Sequence, residues 1–266
     1  TVGGGRLVVL PPQIVAEASR GGADARELLR RATLWAAAME DIGMPEPAEP
    51  VALSGEGVFL DGGRGQEWER SFEQLGDALD DAGLRVRMAP EEMSEFHRRD
   101  LDEADILIAF MPAFEPRTSL ELADWVNSGG ALLVLGEAGA TVFELIAVNE
   151  FLREFGGAIS ASPTTNVTVA VRRHEATRGV SSVARPGPAL GAWCLQGASL
   201  AQMDSTPVAV ARSYGAGRVV VMDAGLAVDR TEAQAGKKAG PVVYGIELQQ
   251  NQDFVLRCVE WLLNSE

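Results

Sequence analysis

The fold of this chain is decided by two apolar stretches, ILIAF at positions 106–110 and ALLVL at positions 131–135. A strand that is apolar at every position needs cover on both faces, as in the middle of a parallel sheet between helices. The intervening segment, Thr118–Val126, has helical spacing, with Thr118 or Ser119 available as its N-cap, and an Asn-Ser-Gly-Gly sequence follows it. We therefore predict a strand, a helix and a second strand that share one parallel sheet.

The same alternation of strand and helix begins earlier, at Gly57. An apolar strand runs into Asp61-Gly62-Gly63, and a helix over 66–82 then ends before Gly83. The remaining predicted elements before position 131 are a strand over 84–88, a short helix over 91–101 and the strand over 104–111.

The pattern changes after Glu137, where one helix over 142–155 is followed mainly by strands. These strands are predicted over 167–171, 206–211 and 218–222, and glycines in the segment 213–217 indicate a hairpin between the last two. A terminal helix is predicted over 247–263. The complete prediction is an α/β three-layer sandwich with a mostly parallel central sheet, plus a C-terminal β-hairpin and helix.

The first fifty residues resemble the tail of a repeat. Two segments of the chain match each other. In the first, Gly5-Arg6 precedes an apolar strand and a helix that carries Trp35; in the second, Gly217-Arg218 precedes a strand and a helix that carries Trp261. We expect residues 1–50 to be such a segment, ending in a Pro-rich linker, and residues 51–266 to form the α/β domain. Thr1 would then be an internal residue of a modular protein or the first residue after a proteolytic cleavage site. The alternative is that any strand–helix unit looks like another.

Composition limits the partners. The formal net charge of −15 over 266 residues disfavours nucleic acid and anionic lipid. No apolar run is long enough to span a membrane, so we expect no direct membrane insertion. The compartment stays open, because a signal or an anchor could precede the segment.

Cysteine and histidine usage does not indicate a metal site. Cys194 and Cys258 lack the spacing of a zinc motif, and we expect both to be small buried hydrophobes. His97 lies in a strongly charged segment that is typical of a solvated face. We predict no cofactor.

The order of the motifs resembles a known family. Four features are together similar to the class I glutamine amidotransferase-like fold. They are the strand ending in Asp61-Gly-Gly, the apolar strands at 106–110 and 131–135, the sequence His174-Glu-Ala-Thr-Arg-Gly-Val, and a final helix ending in Trp-Leu-Leu-Asn. Within that flavodoxin/amidotransferase-like class, they resemble the branch of ThuA-like and gliding-motility/intraflagellar-transport (GIFT-type) domains. The resemblance covers about four fifths of the chain.

The resemblance implies that the amidotransferase catalytic triad is absent. True amidotransferases place a cysteine on the sharp turn after the central strand, where this chain has Glu137. Neither cysteine is near that turn, and no histidine follows His174 to act as a base. The noncatalytic branch therefore fits better, and the chain leans towards not being an enzyme.

The candidate ligand site lies where the strands of an open α/β sheet end. The candidate residues at strand ends are Asp61, Gly62, Gly63, Glu137, Ala138 and Asp223, and the ThuA-like resemblance adds His174. Residues 112–115 follow another strand end. Backbone N–H groups and carboxylates there would suit the hydroxyls of a sugar. The alternatives are that the acids cap helices, that three of them bind Ca²⁺ or Mg²⁺, and that His174 organises a turn through its ring nitrogens.

Three functions follow from these observations. The first is a noncatalytic amidotransferase-like domain that binds a protein partner or a glycan within a larger modular protein. The second is a ThuA-like enzyme of carbohydrate metabolism with Asp61, Glu137, His174 and Asp223 around its pocket. The third is an oligomerisation domain, which leaves a homo-oligomer open.

Overall fold

The computed structural model describes residues 50–61, 69–89, 96–137, 140–161, 168–184, 190–194, 197–203, 206–227 and 250–264. All of these residues belong to the compact unit Ala48–Glu266. The predicted strand–helix repeat and linker at the N-terminus lie outside the described residues. The division at residue 50 therefore stays a prediction.

The described part alternates strands and helices up to the fifth strand. Its strands are β1 Glu56–Asp61, β2 Arg85–Met88, β3 Ile106–Phe110, β4 Ala131–Gly136, β5 Gly157–Ala161, β6 Thr168–Val171, β7 Ser182–Ala184, β8 Leu190–Cys194, β9 Ala198–Met203, β10 Thr206–Tyr214 and β11 Gly217–Asp223. Its α-helices are α1 Glu69–Asp81, α2 Pro116–Asn127, α3 Val142–Arg153 and α4 Asn251–Leu263. Short 3-10 helices span Arg98–Leu101, Glu175–Thr177 and Ala224–Leu226.

Nine of the described strands form one mixed sheet in the order β2-β1-β3-β4-β11-β10-β9-β6-β7. Strands β2, β1, β3, β4 and β11 are parallel to their neighbours in this group, whereas every pairing from β11 to β7 is antiparallel. The prediction of an α/β fold is confirmed, but the sheet is parallel only in its first half. In the described residues, crossover helices join the parallel strands β1 to β4, and parallel pairing requires such connections. Strands β5 and β8 form a separate antiparallel pair.

The two stretches that predicted the fold occupy the centre of the parallel half. Strand β3 pairs with β1 and β4, and β4 pairs with β3 and β11. Every residue of β3 and β4 is buried. This confirms the inference that a strand with no polar position is covered on both faces.

The start of α2 corrects the predicted cap. Neither Thr118 nor Ser119 is the N-cap; that position belongs to Glu115, and Pro116 occupies the first helical position. Proline favours that position because its fixed φ suits the helix and its missing N–H needs no acceptor there. The Ser119 hydroxyl instead donates to the Glu115 carbonyl oxygen over 3.2 Å.

Several other boundaries differ from the predictions. In the segment predicted as a helix over 91–101, the described residues contain only the 3-10 helix Arg98–Leu101. Helix α3 stops at Arg153, two residues before the predicted end, and Gly156 follows with a positive φ of 63°. Strands β5, β7, β8 and β9 were not predicted.

The predicted hairpin between β10 and β11 is confirmed. The strands pair antiparallel from Ala209 opposite Met222 to Tyr214 opposite Gly217. Gly215 in the turn has a φ of +60°, a conformation that glycine adopts at little cost. Helix α4 contacts β4 and β11. None of the helices in the described ranges combines the length and apolarity that crossing a bilayer requires.

Candidate functional site

The carboxyl ends of the parallel strands lie in one row. Asp61 pairs with Phe110, Phe110 with Leu135, and Leu135 with Met222. With strands about 4.8 Å apart, the backbone of Asp61 lies roughly 10 Å from β4 and 14 Å from β11. The backbones of Asp61, Glu137 and Asp223 therefore share one edge of the sheet, which we call the carboxyl edge. Gly62, Gly63, Ala138 and the Asp61 side chain lie outside the described residues.

Asp223 is used as a cap. Its side chain is buried, and one carboxylate oxygen, Oδ1, accepts a hydrogen bond of 2.8 Å from the backbone N–H of Gly225. This bond caps the 3-10 helix Ala224–Leu226. The alternative that this acid satisfies a loop amide is confirmed, and a ligand-binding role for Asp223 stays a prediction.

The turn after β4 is long where an amidotransferase has a sharp elbow. Residues 137–141 separate the last strand residue, Gly136, from the first residue of α3, Val142. Thr141 caps α3 by accepting a hydrogen bond from the Glu144 N–H, and the Glu144 carboxylate accepts one from the Thr141 N–H over 2.5 Å. In this reciprocal arrangement the cap residue, not a nucleophile, begins the helix.

Met111 supports this turn and was not among the predicted site residues. Its thioether sulfur accepts a hydrogen bond of 3.2 Å from the Glu137 N–H, and its own N–H donates to the Leu135 carbonyl over 2.9 Å. Its φ of +44° lies in the left-handed region, which costs a side chain other than glycine about 1–2 kcal/mol. Pro112 follows Met111 and favours an extended conformation before it, so no sequence signal pointed to this position.

His174 does not join the carboxyl edge. It follows β6, which is separated from β11 by β9 and β10, and each pairing in this series is antiparallel. The end of β6 therefore lies at the opposite edge of the sheet, near the start of β11. The candidate residues divide accordingly, with Asp61, Glu137 and Asp223 on one edge and His174 on the other.

The turn that contains His174 is held by its own side chains. The His174 Nδ1 accepts a hydrogen bond of 3.1 Å from the Ala176 N–H. The Thr177 hydroxyl lies 2.6 Å from the Arg172 carbonyl, to which it donates, and accepts a hydrogen bond from the His174 N–H over 3.0 Å. The turn-organising role expected of the histidine ring is confirmed, and the spacing His-x-x-Thr has a physical explanation.

Helix α4 anchors the same turn. The His174 ring makes an edge contact with Trp261 at 5.3 Å between centroids, and the Arg218 guanidinium lies 4.7 Å from the Trp261 ring centroid. The pKa of His174 is lowered, chiefly because burial penalises the charged imidazolium; Glu175 opposes this shift and Arg218 adds to it. Neutral His174 is therefore the form that suits the folded state.

We expect His174 to make stability pH-dependent. A histidine whose pKa is lowered by folding contributes stability that is present above its unfolded pKa of 6.5 and lost as the pH falls through the folded pKa. Between about pH 7.5 and about pH 5.5, urea unfolding should show a smaller loss of free energy in His174→Asn than in the parent protein.

The control for this experiment is His97→Asn, which removes an exposed histidine instead. Comparing the two variants separates the effect of the His174 environment from that of removing a histidine. An identical pH profile for His174→Asn and the parent would contradict the role of His174.

A cleft opens at the carboxyl edge beside the end of β3. It has a volume of about 640 Å³ and is lined by His97, Arg98, Arg99, Ala113, Phe114, Glu115, Arg117, Thr118 and Glu121. We call this the β3 cleft. Residues 112–115 were predicted to offer a polar strand end, and part of that segment lines the cleft. The arginines were not predicted, because residues 98 and 99 were interpreted as part of a solvated charged helix.

Cys258 is not placed to act as a nucleophile. It is fully buried on α4, its thiol lies 3.7 Å from the Ala176 carbonyl, and burial raises its pKa far above the usual range. A thiol in that state is a poor source of the reactive thiolate. The prediction of a small buried hydrophobe is confirmed for Cys258, whereas the side chain of Cys194 lies outside the described residues.

The fold is similar to that of several solved structures. The N-terminal domain of mmIFT52 has a TM-score of 0.58 and 14% sequence identity, covering 79% of this chain and 98% of that domain. A cytoplasmic protein, STM1381 from Salmonella typhimurium LT2, has a TM-score of 0.55 and 14% identity, covering 78% and 99%. A ThuA-like protein from Bacteroides uniformis ATCC 8492 has a TM-score of 0.50 and 14% identity, covering 78% and 91%.

These similarities show the fold. They include both an intraflagellar-transport domain and a ThuA-like protein, the two groups that the motif order resembles. No protein-family model matches the sequence, and no curated protein does.

Proposed function

From the fold shared with the mmIFT52 domain and the ThuA-like protein, we propose that this chain contains a noncatalytic amidotransferase-like domain that binds a partner protein within a larger modular protein. The observation that carries the proposal is the turn after β4. A catalytic elbow needs the nucleophile on a tight strand-to-helix turn, beside the helix N-terminus. Here five residues separate Gly136 from Val142, and Thr141 takes the position that begins the helix.

The first turns of α3 offer a surface for a partner protein. Val142, Phe143 and Ile146 are large apolar residues that are 70%, 83% and 52% exposed. We call these three residues the α3 patch. They follow the turn that replaces the elbow, so the patch lies at the carboxyl edge. Clustered exposed apolar side chains are typical of interaction sites, and aromatic residues often contribute most of the binding energy.

The patch favours a protein over a glycan as the partner. Sugar sites need convergent hydrogen-bonding groups, and the side chains of the patch supply none. A glycan at the acids of the carboxyl edge remains the second form of the proposal.

We propose a three-layer arrangement, in which helices cover both faces of the sheet. Helix α1 contacts α4, and α2 contacts α3. In an α/β sandwich such pairs occupy opposite faces of the sheet. The α3 patch then belongs to the helix layer that contains α2 and α3.

Replacing Phe143 tests the proposal. Phe143→Asp should leave thermal stability nearly unchanged, because the ring is exposed. It should lower the affinity for a purified partner, measured by calorimetry, about 30-fold or more. The partner is first identified as a protein that the immobilised parent chain retains, before any variant is tested. The matched control is Met88→Asp, which places the same charge on a 58% exposed apolar residue of β2 and should bind like the parent.

Two outcomes would overturn the proposal. One is a purified partner whose affinity is the same for Phe143→Asp and the parent chain. The other is release of ammonia from glutamine by the chain, which would show catalysis.

The alternatives make different predictions in the same experiments. An oligomerisation domain would bury the α3 patch against a second copy, and sedimentation would show a dimer or larger assembly that Phe143→Asp dissociates. A ThuA-like enzyme of carbohydrate metabolism would turn over a sugar substrate, and Glu137→Gln would lower that turnover. The ThuA-like structure similarity is the observation that keeps this enzyme as the runner-up.

A further inference from the structure

The β3 cleft concentrates positive charge on a strongly acidic chain. Three arginines, Arg98, Arg99 and Arg117, line it together with His97, whereas the chain as a whole has a formal charge of −15. Glu115 and Glu121 are the carboxylates among the described lining residues, where the arginines exceed the carboxylates by one. This local reversal of sign is a basis for attracting an anion.

Two of the arginines make exposed ion pairs with residues in the described part of the chain. Arg98 lies 3.1 Å from Asp102 and Arg117 lies 2.9 Å from Glu121, each four residues along the chain. Exposed pairs of this kind contribute about 0.3–0.5 kcal/mol, so an incoming anion can replace them at little cost. Arginine also suits planar two-point contact with phosphate or carboxylate oxygens.

The N-terminus of α2 adds backbone donors to the same wall. The side chain of Glu115 makes no capping hydrogen bond within the described part of the chain, and the first turn contains no acidic residue. Arg117 and Thr118 in that turn line the cleft. First-turn N–H groups and the helix dipole both favour a negative group at this position.

An aromatic side chain gives the cleft an apolar wall. Phe114 is half-buried between Phe96 and Phe151, with ring centroids at 5.6 Å and 5.1 Å. Because both neighbours are fully buried, the Phe114 ring is fixed in position. The carbon skeleton of a small ligand can pack against such a ring.

We infer that the β3 cleft binds a sugar that carries a phosphate or a carboxylate group. The anionic group lies at the start of α2 against Arg99 and Arg117, and the sugar ring packs on Phe114. Glu115 and Glu121 accept hydrogen bonds from its hydroxyls, which explains why carboxylates accompany the arginines. The site uses no residue of the α3 patch and is independent of the proposed protein-binding function.

Calorimetry on the whole chain tests the inference with glucose 6-phosphate, glucuronate, glucose and inorganic phosphate. We expect glucose 6-phosphate or glucuronate to bind more tightly than both glucose and inorganic phosphate. Which of the two binds more tightly identifies the anion. Arg99→Ala and Arg117→Ala should each weaken that binding about 10-fold or more, the loss of one charge-assisted contact.

The matched control is Arg153→Ala. It removes the same charge from an exposed arginine at the C-terminal end of α3, which is not among the described lining residues, and affinity should stay within about twofold of the parent if the arginines act by direct contact. All three arginines are exposed, so circular dichroism should show the same fold in each variant.

Three results would overturn the inference. The first is an absence of binding by either charged sugar at millimolar concentration. The second is an equal loss of affinity in Arg153→Ala, which would show general charge attraction without a site. The third is glucose binding as tightly as the charged sugars, which would remove the role of the anion.

Discussion

Gly217→Ala should destabilise the protein by about 3 kcal/mol or more, because there is no space for a methyl group at the start of β11. A Cβ atom there would lie closer than 3.0 Å to the carbonyl oxygens of both Val126 and Gly130. Backbone oxygens cannot move aside as a flexible side chain can. Relief would require β11 to shift away from the end of α2, and β11 lies between β4 and β10 in the sheet.

The matched control is Gly76→Ala in the interior of α1. A Cβ atom at Gly76 meets nothing within 4 Å, so alanine should stabilise the helix by about 0.5–1 kcal/mol. Urea unfolding followed by circular dichroism measures both variants. The interpretation fails if Gly217→Ala has a midpoint within error of the parent protein.

Met111→Ala should destabilise the protein by about 2–5 kcal/mol, the range for truncating a buried methionine. The side chain is only 4% exposed. Alanine also removes the sulfur that accepts the Glu137 N–H and leaves the unfavourable positive φ in place. The loss therefore combines a cavity with a weakened turn after β4.

Met111→Leu separates these contributions. Leucine has nearly the same volume as methionine, and a swap of this kind by itself lowers the free energy of unfolding by less than about 1.5 kcal/mol. Leucine has no acceptor for the Glu137 N–H. Hydrogen exchange of that amide should accelerate in both variants, whereas only alanine should give the large loss of unfolding free energy. Unchanged exchange in Met111→Leu would show that the sulfur does not hold the turn.

The parallel half of the sheet could be predicted from the sequence because its strands carry unambiguous signals. Strands β3 and β4 contain no polar side chain, and a strand without one has to be central. In helix α1, Phe72, Leu75 and Leu79 recur at helical spacing, and all three are buried. Turn glycines located the β10–β11 hairpin.

The antiparallel half could not be predicted to the same extent. Strands β7 and β9 contain small and polar residues, SVA and ASLAQM, which give neither a continuous apolar run nor a clean alternation. Their strand conformation depends on pairing with β6 and β10, which is a tertiary effect. The mixed character of the sheet therefore emerged only from the structure.

The candidate site was predicted in part. Parallel register places the backbones of Asp61, Glu137 and Asp223 at one edge, as expected for residues that follow parallel strands. His174 was grouped with them through family resemblance, but the antiparallel strands carry it to the other edge. The β3 cleft was missed because its arginines are brought together by tertiary structure from segments about twenty residues apart.

The two outer strands of the large sheet, as described, have features that disfavour uncontrolled polymerisation. Strand β2 has only four residues, and Arg85 and Arg87 on it are exposed and charged. Strand β7 has three, and the Gln250 side chain at the start of α4 accepts hydrogen bonds from the N–H groups of Ser181 and Ser182 beside it. Edge strands that are short, charged or already hydrogen-bonded are poor templates for pairing with a strand of another molecule. A high local concentration of the protein should therefore not nucleate fibrils through these two strands.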